Sequence, residues 1–193
     1  MKLKQLLLAA VASVALSGAA SAAILTSTSG SPANTVTDYS TPSLVAFDLD
    51  LTSFAGTRFN FILEESDLLG PLGMNALVRN LSGKGLTDFT FSLEGITFSA
   101  AGSVTPTFGS IDQVVFTPNA AMIDFGKPEF AEFHFGNPFS ATNMSNWFLD
   151  TAGMRAGDRF VITAEVPEPP TITLMLAALA MFSLYRTKRG NQR

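Results

Sequence analysis

The amino-acid sequence predicts an all-β protein, an antiparallel β-sandwich flanked by two segments of different character. Three observations predict it. Apolar and polar residues alternate with period two through several short runs rich in Phe, Val and Thr, the pattern of half-buried strands. Turn-forming residues separate those runs at short intervals. All of the 17 phenylalanines except Phe182 lie in the middle of the chain, where they can fill the space between two sheets.

In chain order, residues 23–43 open the exported part with a polar stretch, Thr26 to Asn34, and are expected to form a loose leader. The sandwich is expected over residues 44–166. Leu44 to Leu51 places Phe47, Leu49 and Leu51 on one face and Asp48 and Asp50 on the other. Phe59 to Leu63, Phe89 to Leu93 and Phe133-His134-Phe135 follow the same period. Val114-Val115-Phe116 and Phe160 to Thr163 are short β-branched and aromatic runs. Between them stand Ser82-Gly83-Lys84-Gly85, Glu94-Gly95, Ala101-Gly102-Ser103, Thr117-Pro118-Asn119 and Arg155 to Asp158. No long amphipathic helix stands out; a short helical turn is expected near Leu68 to Arg79. Burying about ten phenylalanines contributes on the order of 20 kcal/mol before entropy costs.

Charge is segregated along the chain. All 16 acidic residues lie between Asp38 and Glu168, with only six bases among them, a net charge of −10. Such a middle repels phosphates, so nucleic acid is not an expected partner. The remaining bases are at the two ends, beside apolar runs, as membrane topology signals are. The absence of cysteine excludes a disulfide scaffold, a thiolate zinc site and a cysteine nucleophile.

The N-terminus has the parts of a secretory signal peptide: Lys2 and Lys4, the apolar core Leu6 to Leu16, then Ala20-Ser21-Ala22, the small-x-small form a signal peptidase needs. Cleavage is expected after Ala22 or one residue later, giving a signal peptide over 1–22. An uncleaved anchor is the alternative, but the apolar core is short for a span.

The C-terminal segment, residues 167–193, has three parts in fixed order. Pro167-Glu168-Pro169 is an extended break that fits neither a helix interior nor a central strand. Thr171 to Tyr185 is an uncharged run of 15 residues. As a helix rising about 1.5 Å per residue it reaches ~22 Å, short of the roughly 30 Å hydrocarbon core, so it spans with little tilt or anchors transiently. Arg186, Lys188 and Arg189 form a basic cluster, which by the positive-inside rule stays cytoplasmic.

This arrangement resembles the PEP-CTERM sorting signal, which joins a Pro-Glu-Pro motif, a short transmembrane helix and an arginine-rich end. The matching residues are Pro167, Glu168 and Pro169, the run Thr171 to Tyr185, and Arg186 with Lys188 and Arg189. Thr187 interrupts the cluster and Lys188 stands where arginine is usual. The resemblance implies processing by an exosortase, a membrane transpeptidase-like enzyme of Gram-negative and related bacteria. It also implies an exported precursor anchored in the inner membrane and then sorted to the cell surface or extracellular matrix, with a link to exopolysaccharide and biofilm. Val78 to Gly83 followed by Leu86 to Phe91 is similar to a hairpin-like segment common in PEP-CTERM ectodomains. An ordinary single-pass tail anchor is the plainer alternative.

Candidate chemistry in the middle region is sparse. His134 is the only histidine and is expected to face solvent with Glu132. No Gly-x-Ser-x-Gly motif supplies a nucleophile for it, so an enzyme is not expected. Asp48 and Asp50 share a strand face, with Glu64, Glu65 and Asp67 close by in sequence. Three readings stand: hard oxygen ligands for Ca²⁺, a glycosidase acid–base pair, or a solvated acidic face that resists edge-to-edge pairing. The calcium-loop pattern is absent, and no other cofactor is expected. Trp147, the only tryptophan, is expected in the core or at its rim, or with Phe139 and Phe148 as a platform for stacking sugars. The function expected is a non-enzymatic surface or matrix protein. The rival is a carbohydrate-binding module using Trp147 or the Asp48/Asp50 face; a secreted hydrolase is disfavoured.

Overall fold

The computed structural model describes residues 22–167. Ala20, Glu168, Pro169, the run 171–185 and the basic residues Arg186, Lys188 and Arg189 lie outside the described residues, while Ala22 and Pro167 lie within them.

The described chain is all-β, with two sheets in a β-sandwich. Its strands are β1 (Ile24–Gly30), β2 (Thr35–Asp38), β3 (Leu44–Leu51), β4 (Thr57–Ile62), β5 (Leu72–Asn80), β6 (Leu86–Glu94), β7 (Thr97–Ala100), β8 (Val104–Pro106), β9 (Ser110–Thr117), β10 (Ala120–Glu129), β11 (Glu132–Phe135), β12 (Trp147–Asp150) and β13 (Arg159–Glu165). One sheet has the order β1-β4-β13-β6-β10-β9. In the other, β2-β3-β5-β11-β8 are neighbours, and β12 pairs with both β5 and β7.

The inward-facing residues of the period-two runs meet between the sheets. Phe47 from one sheet packs on Phe59 and Phe91 of the other, with ring centroids 5.0 and 5.8 Å apart. Phe133 meets Phe89 and Phe125 at 5.1 and 5.3 Å, and Phe135 meets Phe91 at 4.9 Å. Edge-to-face and tilted contacts of this kind add to the area they bury.

Four expectations are corrected. The stretch 23–43 is not loose: β1 pairs with β4 and β2 pairs with β3 along the sheet edges. Both strands are mostly exposed, so their polar sequence fits an edge that is held by backbone hydrogen bonds. The helical turn expected near Leu68 to Arg79 is confined to a 3-10 turn at Glu65–Leu68, and β5 follows it. The sandwich is not wholly antiparallel, because β3 returns to β5 through β4 of the opposite sheet and the two pair in parallel. Finally, 78–83 with 86–91 is not a hairpin: β5 and β6 belong to different sheets, and the connection 81–85 crosses between them.

Candidate functional site

The outer face of the sheet β2-β3-β5-β11-β8 carries a connected group of polar side chains. On β3 it presents Leu44, Ala46, Asp48 and Asp50, on β5 Asn75, Leu77 and Arg79, and on β11 Glu132 and His134. The register sets them in rows. Asp50, Arg79 and Glu132 are level, then Asp48, Leu77 and His134, then Ala46 and Asn75.

Arg79 organises the first two rows. Its Nε donates to Asp50 Oδ1, and Nη2 donates to Asp48 Oδ2 at 3.1 Å. Burial pushes the Asp48 carboxyl above its ordinary range; Arg79 pulls it back, and the charges of Asp50 and Glu132 add to the rise. The hydrogen bond to Asp50 raises the already high pKa of Arg79, which stays charged. A cation at Asp48 and Asp50 would therefore meet a guanidinium already in place. Among the described residues no group of three or more His, Cys, Asp or Glu could hold a metal ion. Asp67 is fully buried and serves the backbone, accepting from the N–H groups of Glu64 at 2.8 Å and Ser43 at 3.3 Å. The reading of the acidic face as edge protection is also corrected, since β3 lies between β2 and β5.

Asn75 builds the wall of an adjoining cavity. Its Oδ1 accepts from the Asn137 N–H at 2.9 Å and its Nδ2 donates to the Asn137 carbonyl at 3.2 Å. Gly136, at φ 81°, passes so close that a Cβ there would be 2.2 Å from Asn75 Oδ1, so only glycine fits. Asn137 in turn donates to the carbonyls of Ala141 and Met144, closing the loop 136–146 on itself. This loop carries Phe139 over the sheet with 64% of its surface exposed. Tyr39, at the end of β2, is 57% exposed. Between them lies a cavity of about 470 Å³ whose floor includes Ala46, Asp48, Asn75 and Leu77.

His134 is beneath this loop and is not the solvent-facing residue expected. Phe139 meets its ring in a T-shaped contact with centroids 5.0 Å apart, Nε2 is buried without a hydrogen-bond partner, and Glu132 Oε1 is 3.8 Å away. Trp147 is also corrected as a sugar platform. It is fully buried, stacks on Phe135 at 4.4 Å and 13°, and donates from Nε1 to the Ser103 carbonyl at 3.1 Å. Neither face is free for a ligand. Of the three aromatics expected to form a platform, Phe139 alone is exposed, and the structure sets Tyr39 across from it instead of Trp147. Arg79, Asn75 and Tyr39 had no signal in the sequence, since strand register alone brings them beside Asp48.

No protein-family model, curated protein or solved structure matches the chain.

Proposed function

We propose that this chain is an exported, non-enzymatic surface or matrix protein, held briefly at a membrane and then passed to an exosortase-type sorting enzyme. The observation that carries the reading is the order Pro167-Glu168-Pro169, an uncharged run over 171–185, then Arg186, Lys188 and Arg189. Two features of the fold support it. β1 begins at Ile24, so cleavage after Ala22 leaves the first strand whole. β13, an inner strand of its sheet, ends at Glu165 and leads into Pro167 with no long linker, so a sorting enzyme would receive a folded domain next to its recognition segment. The test is fractionation of cells that contain an exosortase. Wild-type chain is expected at the surface or in the matrix, whereas the variant Pro167→Ala/Glu168→Ala is expected to accumulate in the inner membrane. Identical distribution of the two would refute the proposal.

A second reading, as a carbohydrate-binding module, is favoured by Tyr39 and Phe139. Two exposed aromatic rings flank a cavity floored by a carboxylate and an amide, which suits the apolar faces and hydroxyl edges of a polysaccharide. Binding on an array of bacterial polysaccharides is expected to fall in Phe139→Ala and Tyr39→Ala. Wild-type protein that binds none of them would remove this reading without touching the first.

A further inference from the structure

Five connections meet at one end of the sandwich: residues 31–34, 52–56, 81–85, 107–109 and 130–131. In a chain with 16 acidic residues, these five contain none, and their one charge is Lys84. Lys127 stands beside them at the end of β10. The loops of the opposite end carry Glu64, Glu65 and Asp158. The nearest solvent-accessible carboxylates on the strands below the first end are Asp50, Asp88, Asp112, Asp124, Glu132 and Glu165, while Glu129 at the end of β10 is buried.

The same end is apolar at its surface. Leu81, Phe108 and Phe130 are 56%, 65% and 61% exposed. They are firmly mounted. Buried Glu129 accepts from the N–H groups of Phe108, Gly109 and Ala131, each at 2.8 Å. Asn80 Nδ2 donates to the carbonyls of Lys84 and Glu129 at 2.6 and 2.9 Å. Phe130 lies over Gly85, where a Cβ would be 2.7 Å from its ring. The opposite end also exposes Leu69, Tyr39 and Phe139, but only here are three large apolar side chains on hydrogen-bonded loops grouped with lysine and without an exposed carboxylate in the loops, a surface suited to a partner.

The direction of the chain identifies the partner. β13 runs antiparallel to β6 and reaches the level of Thr90 at Glu165. Pro167 then lies beside Asp88 and Thr90, so the chain leaves toward Leu86 and the connection 81–85. The uncharged run starts at Thr171, and at roughly 3.5 Å per residue the step from Pro167 reaches about 14 Å at most. A chain anchored through that run keeps this end within one short step of the lipid. We infer that this end is a bilayer-facing surface, on which Leu81, Phe108 and Phe130 enter the interfacial region of the lipid while the chain is anchored. The cavity between Tyr39 and Phe139, near the other end, then lies away from the membrane. Apolar side chains supply the contact, since the net charge of the domain gives it no attraction to anionic lipid. This inference rests on the reading of 171–185 as a membrane anchor.

The chain has no cysteine, so single labels are easily placed. Full-length Phe108→Cys, Phe130→Cys and, at the opposite end, Ala152→Cys would carry an environment-sensitive fluorophore. Each would be reconstituted in phosphatidylcholine/phosphatidylglycerol vesicles and floated on a gradient. The expected result is a blue shift at positions 108 and 130, quenched by spin-labelled lipid, with water-like emission at 152. A Leu81→Cys label should lose its own shift when Phe108→Ser and Phe130→Ser are added. Chain that floats while all three labels emit alike overturns the bilayer-facing surface and leaves the anchor intact. Chain that does not float overturns the anchor and the surface together. A blue shift at 108 and 130 that spin-labelled lipid does not quench assigns this end to protein contact and overturns the inference.

Discussion

Glu129 gives the most exacting test of how the sandwich is held together. Its carboxylate is fully buried, and its charge is satisfied by three backbone N–H groups at 2.8 Å. Burial alone would push the carboxyl up; the N–H groups of Gly109, Ala131 and Phe108 outweigh it and hold the pKa below the ordinary value of 4.5. Glu129→Gln keeps one acceptor for Phe108 and Gly109, but turns a second donor toward the Ala131 N–H. Losing one charge-assisted bond and stranding a buried donor costs about 2–4 kcal/mol. Glu129→Ala removes all three bonds, and at ~1.5 kcal/mol each this costs about 4–5 kcal/mol, a large part of a small domain's stability. Urea unfolding at pH 7 measures both. The pH dependence carries the sign. A depressed carboxyl pKa gives stability that is fully present above the unfolded-state value and is lost as pH falls through the folded one. The gap between wild type and Glu129→Gln is therefore expected to be widest at neutral pH and to shrink below about pH 4.5. A Gln variant within about 0.5 kcal/mol of wild type, or a gap unchanged down to pH 3, would refute this account of the loop hub.

Four other outcomes follow from the geometry. Trp147→Ala should cost about 3–5 kcal/mol in urea unfolding, through the cavity beside Phe135 and the lost bond to Ser103, while polysaccharide binding per folded molecule stays unchanged. For Asp48, whose folded pKa is raised above 3.8, the sign is opposite to that of Glu129: folding takes up a proton, so wild type loses stability as pH rises through the folded value. Asp48→Asn should therefore gain on wild type in melting temperature between pH 3.5 and 7; a variant that falls further behind as pH rises contradicts this. EDTA and added Ca²⁺ should leave the melting temperature unchanged, since the Arg79 guanidinium already occupies the space between Asp48 and Asp50; a calcium-dependent rise would restore the metal reading. The edge strand β9 exposes Val114, Val115 and Phe116, so Val115→Lys should slow aggregation on heating, measured by light scattering, with a stability change under about 0.5 kcal/mol.

The strands legible in the sequence are those with one wet face. β3 was readable to the residue because its outer row, with Asp48 and Asp50, stays polar against Phe47, Leu49 and Leu51. β5 was hidden for the opposite reason. It is covered on both faces, and a strand buried on both sides loses its period and resembles a helical segment. β1 and β2 leave no such pattern because edge strands can be almost wholly polar and still pair. At the site, the two aspartates were visible but their partner was not, since Arg79 comes beside them only through the parallel pairing of β3 and β5. Trp147 misled because Trp147-Phe148-Leu149 is apolar throughout, and such a run does not say which residue turns inward. Tyr39 and Phe139 come from distant parts of the chain, so their pairing across one cavity is a product of topology.

The central claim, an exported domain released from its tail, is tested most directly by the intact mass of the protein recovered from the cell surface or matrix. The account predicts a chain that begins at Ala23 or Ile24 and lacks Thr171 to Arg193. A surface form that retains its C-terminus through Arg193 would contradict it.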